Sequence, residues 1–209
     1  MTIDAIVFDM DGVLIDAKEW HYRALNRALE HFGYAISRAE HLSTFDGLPT
    51  TRKLEMLSQE KGLPRDLHRF LNELKQQYTI EQVHLNCKPL FAHEYTLSNL
   101  KARGYKLGVA SNSIRSTVKL MMKKSNLESY FDVMLSNEDV HQPKPDSEIY
   151  LKAAEMLKVR PADCLVVEDN FNGIKSAEAA GCPLYVVQSV LDVQLDLLLL
   201  AIRRAEDGT

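Results

Sequence analysis

The chain has few cysteines, no surplus of basic residues and no long apolar run. Cys87, Cys164 and Cys182 lie far apart and form no Cys-x-x-Cys pair. This argues against a disulfide framework or a cysteine zinc site and predicts buried thiols in a reducing cytoplasm. Lys and Arg number 25 against 29 Asp and Glu, a net charge of −4. Without a basic excess there is little to grip a phosphate backbone, which argues against nucleic acid as a partner. The longest strongly apolar run, Leu197 to Ile202, is far too short to span a bilayer, so no membrane partner is expected. The first residues lead into a charged, strand-like segment without signal or transit character. No internal repeat and no low-complexity tract occurs. The 209 residues, 45% of them apolar, suffice for one large domain or a core with a modest insertion.

What is present centres on residues 4 to 16, Asp-Ala-Ile-Val-Phe-Asp-Met-Asp-Gly-Val-Leu-Ile-Asp. Ala5 to Phe8 is an unbroken apolar run, read as a strand buried on both faces inside a parallel sheet. Asp9 stands where the run stops, Asp11 two residues on, and Gly12 permits a sharp turn. Residues two apart in extended chain face the same side, so both carboxylates would face one crevice. Such a pair needs a cation, a shared proton or a basic side chain, and oxygen ligands suit Mg²⁺. The alternative is a simple turn cap.

The periodicity then becomes helical. Trp20, Ala24, Leu25, Ala28, Leu29 and Phe32 recur every three or four residues, ending at Gly33. A short helix is expected over 37–44, a turn at Asp46–Pro49, and a helix capped by Thr50 or Thr51 and closed by Gly62. One or two helices should follow from Pro64 to about Asn86, through Leu67, Phe70, Leu71, Leu74, Tyr78 and Val83. Strands alternate with helices from there on: strands at Lys106–Ala110, Phe131–Leu135, Leu165–Val167 and Leu184–Val187; helices at Glu94–Arg103, from Ser113 to about Asn126, at Asp146–Lys158, at Phe171–Ala180 and over 192–204. This pattern predicts an α/β fold, a doubly wound, Rossmann-like parallel sheet formed by residues 1–15 and 88–209. Residues 16–87 form an inserted all-helical cap.

Three polar clusters fall at or near predicted strand ends. Ser111-Asn112 offers a hydroxyl and turn amides as a phosphate cradle, or alternatively a helix N-cap by Ser111 or Ser113. Lys144 is bracketed by Pro143 and Pro145, which restrict its backbone and imply that its position matters. Glu168-Asp169 follows a buried strand, as metal ligands or as a helix cap.

The segment Phe8 to Asp16 resembles the first motif of the haloacid dehalogenase superfamily, in the branch of β-phosphoglucomutase-like enzymes and sugar-phosphate phosphatases. The resemblance implies that Asp9 is a nucleophile and Asp11 a general acid/base. It further implies that Ser111 binds the phosphoryl group beside Asn112 and that Lys144 bridges phosphate and Asp9. Asp169 and Glu168 would complete a Mg²⁺ site with Asp9 and Asp11. His21 coincides with a histidine of the pattern, and Thr50, Thr51 and Arg52 lie where relatives contact substrate. Pro143, Asn170, Ala17 and His93 depart from the pattern. The expected function is a Mg²⁺-dependent phosphatase acting on a small phosphorylated metabolite, a sugar phosphate, through an aspartyl-phosphate. The alternative is a β-phosphoglucomutase-like phosphohexomutase. The apolar Leu195–Ile202 helix leaves monomer and weak homodimer both open.

Overall fold

The computed structural model describes residues 2–208. The chain divides into two compact units, Met1–Asp16 with Lys88–Thr209, and Ala17–Cys87.

In the first unit, strand β1 (Ala5–Phe8) is wholly buried, as its unbroken apolar run requires. The second unit contains only helices among its described residues: α1 (Lys18–Glu30), α2 (Arg38–Glu40), a π-helix (His41–Phe45), α3 (Thr50–Lys61) and α4 (His68–Asn86), with a 3₁₀ turn Arg65–Leu67. The first unit then resumes with α5 (Phe91–Ala102), β2 (Lys106–Ala110), α6 (Arg115–Lys124), β3 (Val133–Leu135) and α7 (Glu148–Leu157). Strand β4 (Cys164–Glu168), α8 (Phe171–Ala180), β5 (Leu184–Val186) and α9 (Leu195–Asp207) complete it.

The five strands form one parallel sheet in the order β3-β2-β1-β4-β5. β1 is central, pairing Phe8 with Val109 on one side and Val167 on the other. The chain therefore leaves the sheet at Asp9 between two neighbours, at the strand-end switch where ligands of open α/β sheets bind. One apolar layer joins Ala5 and Val7 to Val166 of β4, Ile149, Tyr150, Ala153 and Leu157 of α7, and Ala177 of α8.

The helical unit has its own core of Leu25, Ala28, Leu29, Ile36, Phe45, Leu54, Leu57, Leu63 and Leu71. Buried Asn26 replaces a missing backbone ladder there, donating to Ile36 O and accepting from Ile36 N, both at 2.9 Å.

Several local expectations need correction. Pro49, not Thr50 or Thr51, occupies the α3 N-cap, because its extended backbone already sets the entry angle. Helix α6 starts at Arg115 with Ile114 as N-cap, so neither Ser111 nor Ser113 caps it. On α4 the fully hidden stripe is Leu71, Lys75, Thr79 and Val83, one residue every four, while Phe70 is 50% exposed. No helix among the described residues is long and apolar enough to cross a membrane.

Candidate active site

The site begins where β1 ends. Asp9 N still donates to Val167 O at 2.9 Å, so ladder geometry fixes the residue on which the strand stops. Gly12 then takes φ +100°, a conformation open to glycine, and Gly12 N donates to Ile15 O at 2.7 Å to close the turn. Asp11 is aimed by Ser113, whose Oγ donates to Asp11 Oδ2 at 2.9 Å. Ser113 N in turn donates to Ser111 Oγ at 3.0 Å, a hydroxyl turn just beyond β2.

Lys144 Nζ lies buried at the centre. Four acceptors surround it: Asp9 Oδ1 at 2.7 Å, Glu168 Oε1 at 2.6 Å, Ala110 O at 2.8 Å and Tyr150 Oη at 2.8 Å. The loop that delivers it is pinned by Asn112, whose Oδ1 accepts from Lys144 N (3.0 Å) and whose Nδ2 donates to Lys144 O (3.2 Å). Asn112 thus holds the lysine loop. The Lys144–Pro145 peptide bond is cis.

Glu168 is completely buried at the end of β4. Its Oε1 accepts from Lys144 and from Tyr150 Oη (2.6 Å), and its Oε2 accepts from Asp169 N (3.0 Å). Gly173 makes room for it: a Cβ at that position would overlap the Glu168 carboxylate. Close packing of α8 on the end of β4 at Gly173 thus leaves a seat for the carboxylate. Asn170 caps α8, accepting from Asn172 N and Gly173 N.

The charges are strongly unbalanced. Burial, more than any other influence, pushes the Asp9 carboxyl well above the usual range; Lys144 opposes this, and Glu168, Asp169 and Asp11 add to it. Burial pulls the Lys144 ammonium down, but Asp9 and Glu168 outweigh it and hold the pKa above the ordinary value. The Tyr150 phenol is raised well above its usual value by burial and by Glu168 and Asp9, so it remains a proton donor. Carboxylate oxygens of Asp9, Glu168 and Asp169 all lie within 4.8 Å of one another. Three hard oxygen donors that close, with one ammonium to offset them, fit a divalent cation of the Mg²⁺ type. The Asp11 carboxylate is outside this trio and faces Ser113.

The remaining expected residues belong to the helical unit. His21 Nδ1 is 3.2 Å from Lys75 Nζ, Thr50 is buried in the first turn of α3, and Arg52 is exposed. Two residues that sequence reasoning did not single out for this site are Tyr150 and Ser113. Tyr150 lies on the buried stripe of α7 and looked like ordinary core; six residues after the bracketed lysine was the one available signal. His93, which had no explanation, is a tether: its Nε2 is 2.7 Å from Val190 O and the ring also faces the Leu14 carbonyl, with burial the dominant influence lowering its pKa.

A carboxylate at the end of a central parallel strand, an ammonium bonded to it and two further carboxylates beside them mark the candidate active site of an α/β enzyme. The chain belongs to the haloacid dehalogenase-like hydrolase family, whose sequence profile matches residues 6–187. It is 31% identical over 182 residues to a phosphorylated carbohydrates phosphatase of Thermotoga maritima, covering 86% of this chain and 82% of that protein. It is 29% identical over 188 residues to the pyrophosphatase PpaX of Bacillus velezensis, covering 86% and 80%. Among crystal structures, β-phosphoglucomutase of Clostridium difficile superposes with a TM-score of 0.86 at 21% identity, over 99% of this chain and 100% of that one. At that identity the likeness shows the fold.

Proposed function

We propose that this phosphatase of the haloacid dehalogenase-like family hydrolyses a small sugar phosphate through an aspartyl-phosphate on Asp9, with Mg²⁺ as its cofactor. The observation that carries the reading is the buried ammonium of Lys144, 2.7 Å from Asp9 Oδ1 at the end of the central strand. An anionic nucleophile meets an anionic phosphate monoester only if positive charge screens both. Lys144 supplies one charge. Asp9, Asp169 and Glu168 would hold the cation, with Asp169 the outward member, since Glu168 already accepts from Lys144, Tyr150 and Asp169 N. A divalent cation bound there would screen the carboxylates from one another and keep Asp9 ionised.

Asp9 then attacks phosphorus in line, forming the Asp9–phosphate bond as the bond to the leaving oxygen breaks. Asp11, aimed by Ser113, gives its proton to the leaving alkoxide. The same carboxylate next takes a proton from water, which attacks the aspartyl-phosphate and frees Asp9 and inorganic phosphate. Ser111 and the amides of the turn after β2 orient the phosphoryl oxygens, with Lys144 facing the same group. From the sequence resemblance alone we further propose that His21, Thr50 and Arg52 contact substrate. The names of the relatives, a phosphorylated carbohydrates phosphatase and a pyrophosphatase, support hydrolytic phosphoryl transfer, from an ester in the first case and from an anhydride in the second. A phosphohexomutase would use the same residues, and no separate observation favours it.

Phosphate release from a panel of phosphorylated metabolites tests the reading, with Mg²⁺ and with chelator. Release from one or two sugar phosphates that stops on chelation is expected. Mg²⁺ should also raise the melting temperature of the wild type, a readout independent of turnover. Release that continues undiminished in chelator would sink the metal assignment. Three buried cysteines outside any disulfide suit a reducing cytoplasm, and the protein should run as a monomer or weak homodimer by size-exclusion chromatography with light scattering.

A further inference from the structure

We propose that Tyr150 is a positioning residue for this reaction: its buried hydroxyl, set between Lys144 Nζ and Glu168 Oε1, keeps the ammonium over Asp9. The proposal rests on the phosphatase reading above.

The geometry around Lys144 poses a problem that the hydroxyl solves. An ammonium has three N–H groups, and here four acceptors lie within 2.8 Å. Two of them are carboxylates in direct competition, Asp9 Oδ1 at 2.7 Å and Glu168 Oε1 at 2.6 Å. Glu168 is buried like Asp9 and equally near, so it competes with the nucleophile for the lysine. Tyr150 Oη blocks this twice. It donates to Glu168 Oε1 at 2.6 Å, taking up part of that oxygen's accepting capacity. It also accepts from Lys144 Nζ at 2.8 Å, so that it competes with Glu168 for the three N–H groups of the ammonium. Ala110 O and Asp9 Oδ1 accept from the same ammonium at 2.8 and 2.7 Å.

Packing does not require this arrangement. Phenylalanine would fill the same volume in the apolar layer of α7, and a buried hydroxyl is costly unless it is bonded. Both of its partners are charged members of the site. The ring centroid lies 4.7 Å from Lys144 Nζ, so Tyr150→Phe keeps the cation–π contact and removes the hydroxyl alone.

The test is steady-state kinetics of Tyr150→Phe on the best substrate, with melting temperature and inhibition by inorganic phosphate measured in parallel. The expected result is a kcat about tenfold lower with KM and phosphate inhibition within about twofold, the mark of an interaction that matters in the transition state. A purely structural residue would lower the melting temperature and leave kcat intact at low temperature; wild-type kcat in a folded Tyr150→Phe protein therefore overturns the proposal. Should Tyr150→Phe not fold, 3-fluorotyrosine placed at position 150 keeps the shape and makes the hydroxyl more acidic. A changed kcat at unchanged melting temperature then supports the assignment, and an unchanged kcat overturns it. Wild-type protein that releases phosphate from no compound would overturn the phosphatase reading, and this proposal with it.

Discussion

The two units bury ionisable groups in opposite ways. At the end of β1 one base, Lys144, faces Asp9 and Glu168 with Asp169 and Asp11 close by, an excess of acid. In the helical unit Lys53, Lys75 and His41 are hidden, His21 adjoins Lys75, and Asp46 is the acid beside His41 and Lys18. The first region is held by strand register and short charged hydrogen bonds. The second relies on helix packing, and neither ring nitrogen of its buried His41 has a hydrogen bond of good geometry, the Lys18 carbonyl being its nearest backbone influence. Charges fixed by backbone register lie at predictable places along a chain. Those hidden by helix packing do not.

The comparison breaks first, and with the largest effect, at Asp9. Asp9→Asn keeps the size of the side chain and can still accept from Lys144, so the fold should survive while turnover falls by at least about 10³-fold. A folded Asp9→Asn protein with substantial activity would remove the nucleophile. Lys144→Met comes next. It leaves Asp9 and Glu168 as buried neighbours with no base between them, which should cost about 3–5 kcal/mol of stability, read by urea titration, as well as activity. A variant as stable as wild type would mean that the ion pair is not what holds the strand ends together. Gly173→Ala sharpens the point without touching any charge. Its methyl overlaps the Glu168 carboxylate, and a loss of about 2 kcal/mol with a drop in activity is expected. Neutral behaviour would show that Glu168 can sit elsewhere.

These differences explain what could be read from the sequence. The parallel sheet and the gathering of Asp9, Glu168 and Asp169 at its strand ends were legible, because a buried strand is an apolar run and the polar residue that ends it has one place to go; Lys144, nine residues past β3, stood out only through the prolines on either side of it. Tyr150 was not legible. It looks like one more apolar stripe residue of α7 until the ammonium is seen beside its hydroxyl. Lys53 and Lys75 were missed for a related reason. Periodicity locates a helix face by its apolar members, and a lysine on the hidden face counts against the pattern, so the α4 stripe was drawn through Phe70 and not through Lys75. The caps of α3 and α6 failed because Thr50, Ser111 and Ser113 suit a helix start in composition, while Pro49 and Ile114 hold those places by backbone geometry.

The smallest effect tests the helical side of the comparison. His41 stacks at a tilt on Tyr22, with ring centroids 5.2 Å apart, and its Nε2 is 3.9 Å from Asp46 Oδ1, too far for a hydrogen bond. Burial first, then the charge of Lys53, lower its pKa to about 4, against the pull of Asp46 and with a further push from His21. The folded ring is therefore neutral where an unfolded histidine would already be charged. Between the unfolded value of about 6.5 and the folded value of about 4, the unfolded chain binds the extra proton, so stability falls as pH falls through that window. After allowance for solvent screening the loss is on the order of 1–2 kcal/mol. His41→Phe keeps the contact with Tyr22 and has no proton to gain. Its denaturation midpoint should fall less steeply than wild type from pH 6.5 to 4, with the two curves parallel above pH 7. Equal slopes through the acid range would mean that water or Asp46 reaches the ring, and that this buried base is less isolated than Lys144 is well paired.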